Sequence, residues 1–182
     1  TIAEGVADPK RVGIMGYSFG GYSTLAGLAF APDVFACGVD VVGPSDLRTL
    51  FQTFPAYWGP RRQRWINWMG DVENDEALNR RLSPLYHVGA MRAPLMIGHG
   101  ANDPRVKLAS SEAIVKALRD RGVAVGFVVY PDEGHGFGRA ENNLDFFGRV
   151  EEFLAKHLGG RAEPWKEVAG ATAEVMRVES IR

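Results

Sequence analysis

GIMGYSFGGY, residues 13–22, is the stretch on which the fold turns. Its first residues are apolar and closed by glycine, as in a buried strand, and its last residues open a helical pattern. Between them Gly16-Tyr17-Ser18-Phe19-Gly20 has the form G-x-S-x-G, extended by Gly21. The serine of such a turn sits on a sharp, strained bend between strand and helix. Side chains at the flanking glycine positions are expected to collide with neighbouring elements. The bend lifts the hydroxyl to the top of the sheet, where the helix N-terminus and the Phe19 backbone N–H can stabilise an oxyanion. A bare G-x-S-x-G is frequent by chance. One set after an apolar strand and before a helix is much more specific.

Outward from this turn, ACGVDVVG, APLMIGHG and VAVGFVVYP join RVGIMGYS as four strands, three of them apolar nearly throughout, as expected of strands covered on both faces. Helical patterns separate them. Residues 20–30 follow the first strand. Residues 108–121 carry Leu108, Val115 and Leu118 on one stripe with Ile114 beside it, and Gly122 as a stop. Residues 144–158 carry Phe147, Val150, Leu154 and Leu158 at helical spacing and end at Gly159-Gly160. This alternation predicts an α/β fold, a parallel sheet with helices on both faces.

Residues 48–82 break the alternation with Phe51, Phe54, Tyr57, Trp58, Trp65 and Trp68 among arginines. They predict one or two inserted helices whose aromatics pack on the sheet or line a pocket. Residues 161–182 are polar and weakly patterned and read as a surface tail.

With 182 residues, 46% hydrophobic and 24% charged, and a formal net charge of -1, the chain suits one globular domain. The neutral balance gives no electrostatic footprint for nucleic acid or an anionic membrane, so the aromatic, basic stretch reads as a packed cover. No apolar run is long enough to span a bilayer. Cys37, the only cysteine, reads as a small buried hydrophobe; no internal disulfide is possible and the pairings of a structural zinc site are missing. The first residues have no signal-peptide layout and no initiating methionine, so the chain is expected to start inside a longer protein, with its compartment open.

A serine hydroxyl needs a base at neutral pH. Of the four histidines, His87 precedes a strand on a surface loop, His99 lies in a strand end with a packing role, and His157 sits in the last turn of a helix. His135, flanked by Gly134 and Gly136 on a loop after an apolar strand, is the best base. Asp103, directly after the strand APLMIGHG, is placed to orient the imidazole. Asp46 is a weaker alternative, and Asp132 and Glu133 are read as capping or solvating the His135 loop. The chain order Ser18, Asp103, His135 is the order expected of an α/β-hydrolase.

GYSFGGY, HGANDPRV and DEGHGF together resemble the catalytic domain of the prolyl oligopeptidase family of serine peptidases, especially its acylaminoacyl-peptidase and dipeptidyl-peptidase-like branch, over about residues 6–158. The resemblance implies Ser18 as nucleophile, Asp103 and His135 as its partners, Arg105 as an anchor for a substrate carbonyl, and Val106 as a wall of the pocket beside the cleaved bond. It implies short peptide substrates and no metal or organic cofactor. In that family a β-propeller and the first hydrolase strands precede the serine. Residues 1–160 are therefore expected to be the C-terminal half of an α/β-hydrolase domain, with 161–182 as a tail. The absent portion would carry a second oxyanion donor, typically a tyrosine hydroxyl. Without it the strand at residues 11–15 is expected to be a bare apolar edge, prone to self-association or to pairing with the missing N-terminal portion. A carboxylesterase acting on small esters is the alternative reading, and an inert assembly module a third.

Overall fold

Alternating side-chain direction along adjacent strands organises the molecule. The structure, a computed structural model, describes residues 1–176. Strands β1 (Gly13–Tyr17), β2 (Cys37–Val41), β3 (Leu95–Gly100) and β4 (Val125–Tyr130) lie parallel and in chain order, and β5 (Glu174–Met176) pairs antiparallel with β4. Helices α1 (Phe19–Phe30) and α5 (Leu108–Arg119) cover one face, and α6 (Ala140–Leu158) the other. Leu95, Ile97, Phe127 and Val129 face Leu25, Ile114 and Leu118, whereas Met96, Val128 and Tyr130 face Phe146 and Val150. Each large apolar side chain so buried contributes about 1.5–3 kcal/mol. All six residues of β3 are buried, which explains its unbroken apolar run. A polar staple adds to this packing: the Tyr130 hydroxyl donates to Asp145 at 2.7 Å, and Arg149 meets the same carboxylate at 2.8 and 3.0 Å.

The insertion after β2 differs from expectation. It holds three α-helices, α2 (Leu47–Gln52), α3 (Gly59–Met69) and α4 (Glu76–Leu82), and a 3-10 turn at Ala56–Trp58, because prolines and Gly70 divide the pattern and Asp46 and Asp75 cap new starts. Leu47, Phe51 and Val72 form a core of their own, with Trp65 and Tyr22 of α1 packed against it, and Phe54, Trp58 and Trp65 line a cavity, one of the two placements expected of these aromatics. Helix α6 also begins earlier than residue 144. The Glu133 carboxylate accepts the N–H groups of Gly138 and Arg139 just before its first turn, at 2.7 and 2.9 Å. Phe146, rather than Phe147, turns inward, and Phe147 is half exposed.

The expected tail is tied down. The Trp165 N–H donates to Glu152 at 2.7 Å, the Arg149 guanidinium lies 4.1 Å over the Trp165 ring, and the Thr172 N–H donates to Asn142 before β5 begins. The rest of that tail, 177–182, lies outside the described residues. At the opposite end of the sheet β1 has β2 as its one strand neighbour among the described residues, with Met15 and Tyr17 45% and 48% exposed.

Candidate active site

The turn between β1 and α1 is strained as its glycines suggest. Ser18 holds φ +57° and ψ −118°, and the Val41 carbonyl accepts its N–H at 2.8 Å. Nearby, Val42 holds φ +52° at the end of β2; each such conformation costs on the order of 1–3 kcal/mol. A Cβ on Gly16 would stand 2.0 Å from the Gly20 carbonyl oxygen, and one on Gly21 2.2 Å from Asp40 Oδ1. Gly20 departs from expectation: a Cβ there meets nothing within 4 Å. Asp40 is fully buried beneath the turn. Its Oδ1 accepts the Gly43 N–H at 2.8 Å, its Oδ2 meets no donor among the described residues, and burial pushes its carboxyl up to about 7.

The structure brings Ser18, His135 and Asp103 together. Ser18 Oγ lies 2.8 Å from His135 Nε2, and His135 Nδ1 lies 2.7 Å from Asp103 Oδ2. The carboxylate accepts only, so Nδ1 carries the proton and Nε2 faces the serine as an acceptor. Asp103 Oδ1 takes the N–H groups of Arg105 and Val106 at 2.7 and 2.9 Å. Burial pushes the Asp103 carboxyl up, but hydrogen bonds from His135, Val106 and Arg105 outweigh it and hold the group below the usual carboxylate range. The acid and base loops are stitched by the Ala101 N–H to the Tyr130 carbonyl and the Asn102 N–H to the Glu133 carbonyl, each at 2.9 Å.

Phe19 is the first residue of α1, so its N–H has no intrahelical partner. Arg105 and Val106 line a cavity of about 220 Å³ with Ser18, Phe54, Trp58 and Trp65. A larger groove of about 820 Å³ runs past His135 along the exposed face of β1, but it is open and misses Ser18. The Arg105 guanidinium lies over Trp58, and the Val106 carbonyl accepts from His99 Nε2 at 2.9 Å. His99 is fully buried, burial holds its imidazole below the usual histidine range, and it takes the Ser111 hydroxyl at Nδ1, so it supports the acid loop rather than serving as a base. His87 bonds the Arg80 carbonyl, and His157 packs on Phe153. Asp46 gives its carboxylate to the N–H groups of Arg48 and Thr49 and to the Tyr86 hydroxyl, so it is not the orienting group.

Glu133 caps the base loop as its sequence position suggests, and Tyr17 is a contributor that the sequence did not single out. Glu133, beyond capping, takes the Asn142 amide and so braces the whole loop that carries His135. Burial pushes it up, yet hydrogen bonds from Asn142, Arg139 and Gly138 hold it below the usual range. Tyr17 donates its hydroxyl to the main-chain carbonyl of His135. The only sequence signal for Tyr17 is its place beside the serine. Among the described residues no group of three or more His, Cys, Asp or Glu converges as a metal site.

Parallel strands that deliver a hydroxyl, a carboxylate and an imidazole to one rim of the sheet place the chain among the α/β-hydrolases. The sequence profile of the prolyl oligopeptidase family matches residues 1–161, and the chain belongs to that family. It is 50% identical over 178 residues to the dipeptidyl aminopeptidase BIII of Pseudoxanthomonas mexicana, covering 96% of this chain and 26% of that protein. It is 43% identical over 169 residues to the dipeptidyl peptidase family member 6 of Caenorhabditis elegans, covering 91% and 23%. The solved puromycin-hydrolyzing peptidase of Mycobacterium tuberculosis superposes with a TM-score of 0.81 at 28% identity, over 91% of this chain and 25% of that one. The chain thus spans about a quarter of the length of the proteins it matches.

Proposed function

We propose that this chain carries the catalytic centre of a serine peptidase that hydrolyses short peptides through an acyl-enzyme. The observation that carries the reading is the continuous chain of contacts from Ser18 Oγ through His135 to Asp103, at 2.8 and 2.7 Å. Ser18 Oγ attacks the peptide carbonyl as its proton passes to His135 Nε2, and Asp103 stabilises the imidazolium. The Phe19 N–H receives the developing oxyanion; one such donor is typically worth about 2.7–4 kcal/mol. His135 then protonates the leaving amine, and water, deprotonated by the same imidazole, releases the acyl group and restores the serine. Arg105 anchors a substrate carbonyl, and Val106 with the aromatics of the small cavity receives the side chain beside the cleaved bond. No step calls for a metal or an organic cofactor.

The names of the two relatives favour release of dipeptides. The bare edge of β1 pairs with a further strand, from the longer protein or from a second copy. The test is labelling of the full-length protein with a fluorophosphonate, together with turnover of dipeptidyl, single aminoacyl and short-chain ester substrates. Labelling that disappears in Ser18→Ala, with dipeptidyl substrates turned over fastest, supports the reading. An unlabelled protein, or one that turns over esters alone, overturns it.

A further inference from the structure

The turn that carries the base is braced at its foot but little held at its apex. His135 stands between two glycines, and the Gly136 N–H closes back on the Gly134 carbonyl at 2.9 Å, so the peptide carbonyl of His135 sits at the apex. Asp103 fixes the imidazole and Glu133 braces the loop behind it, but neither reaches that apex. The one donor to the His135 carbonyl among the described residues is the Tyr17 hydroxyl.

Two further observations show how closely the parts fit. The Tyr17 and His135 rings lie 5.4 Å apart at their centroids, tilted by 57°. Gly136 has φ +115°, and a Cβ there would stand 2.8 Å from the Tyr17 hydroxyl oxygen, so the backbone closes directly on the phenol. Burial, with the charge of Asp103 adding to it, pushes the phenol up, and the hydroxyl keeps the proton it donates. Tyr17 is 48% exposed, so core burial does not dictate its position.

We propose that Tyr17 is a positioning residue that clamps the apex of the His135 turn against the serine it precedes. Covalently it sets Ser18, and through its hydroxyl it sets the backbone of the base, so one residue fixes the separation of the two. The assignment rests on the serine–histidine–aspartate reading above.

The test is Tyr17→Phe in the full-length protein, which keeps the ring and removes the donor. Expected is a kcat lower by about tenfold per fluorophosphonate-titrated site, with KM within about twofold and melting temperature unchanged, because proton transfer depends on placement and substrate binding does not. The Gly136→Ala variant pushes a methyl group toward the phenol, and its effect on kcat is expected to be non-additive with that of Tyr17→Phe. A Tyr17→Phe enzyme with wild-type kcat per titrated site overturns the proposal, as does a loss that titration traces wholly to unfolded protein. If Ser18 of the unmodified protein is not labelled, the underlying reading fails and takes this one with it. If it is labelled and Tyr17→Phe is wild-type, the clamp alone is lost.

Discussion

The Arg105 guanidinium lies 4.5 Å over the Trp58 ring, so a residue of the acid loop rests on the inserted helical cover. The Thr53 hydroxyl reinforces the join by donating to the Arg105 carbonyl at 2.5 Å. A stacked guanidinium of this kind is worth about 1 kcal/mol in aligning Arg105. Trp58→Leu is therefore expected to raise KM for a peptide substrate roughly fivefold with kcat little changed. Steady-state kinetics of the full-length protein read this directly, and an unaltered KM would remove Trp58 from the binding site.

The glycines of the serine turn are not equivalent. Gly16→Ala and Gly21→Ala drive a methyl into the Gly20 backbone and into Asp40, and each is expected to cost about 3 kcal/mol or more. Gly20→Ala enters open space within a helix and is expected to be neutral or to stabilise by up to about 1 kcal/mol. Urea unfolding midpoints rank the three; equal losses would contradict the geometry.

Asp40 gives stability a pH dependence of unusual sign for a carboxylate. Its folded value of about 7 stands above the ordinary 3.8, so the native state holds the proton longer than the unfolded chain does. Its contribution is fully present below about pH 4 and is lost as the pH rises toward 7, by on the order of 4 kcal/mol at full ionisation. Asp40→Asn is expected to be more stable than the parent at pH 8 and to lose that advantage at pH 4. Denaturation at the two pH values shows the crossover, and a difference constant across pH excludes it.

Isolated from any longer protein, the 182-residue chain is expected to associate through β1. In light scattering after size-exclusion chromatography its mass should exceed 19.9 kDa and rise with concentration. Met15→Lys, placing a charge on the exposed face of that edge, should shift the population toward monomer. A parent chain that stays monomeric at all concentrations would show that the edge is not adhesive.

The four parallel strands and the serine turn were legible because each rests on a local pattern: an apolar run, a glycine at a close approach, a helix beginning at the next residue. The loops bearing Asp103 and His135 were legible as strand exits at the same sheet edge, and in the structure their side chains meet. What escaped depends on partners remote in sequence. Phe146 and Phe147 both fit helical spacing with Val150, and only contact with the sheet selects Phe146. β5 has three residues, too few for a periodic signal, and exists because the edge of β4 is there to receive it. Tyr17 acts on a main-chain carbonyl of the base loop, whose direction is decided by a turn that no spacing rule describes.

The strands occupy the sheet in the order in which a ribosome delivers them. That order lets each new ribbon dock on the growing rim, with none of the described strands needing to be threaded between two already in place. The serine is laid down among the earliest residues of this region, while its imidazole follows 117 residues later. On the proposed mechanism the nascent hydroxyl stays chemically ordinary until β4 has docked, so late folding rather than synthesis of the nucleophile arms the enzyme.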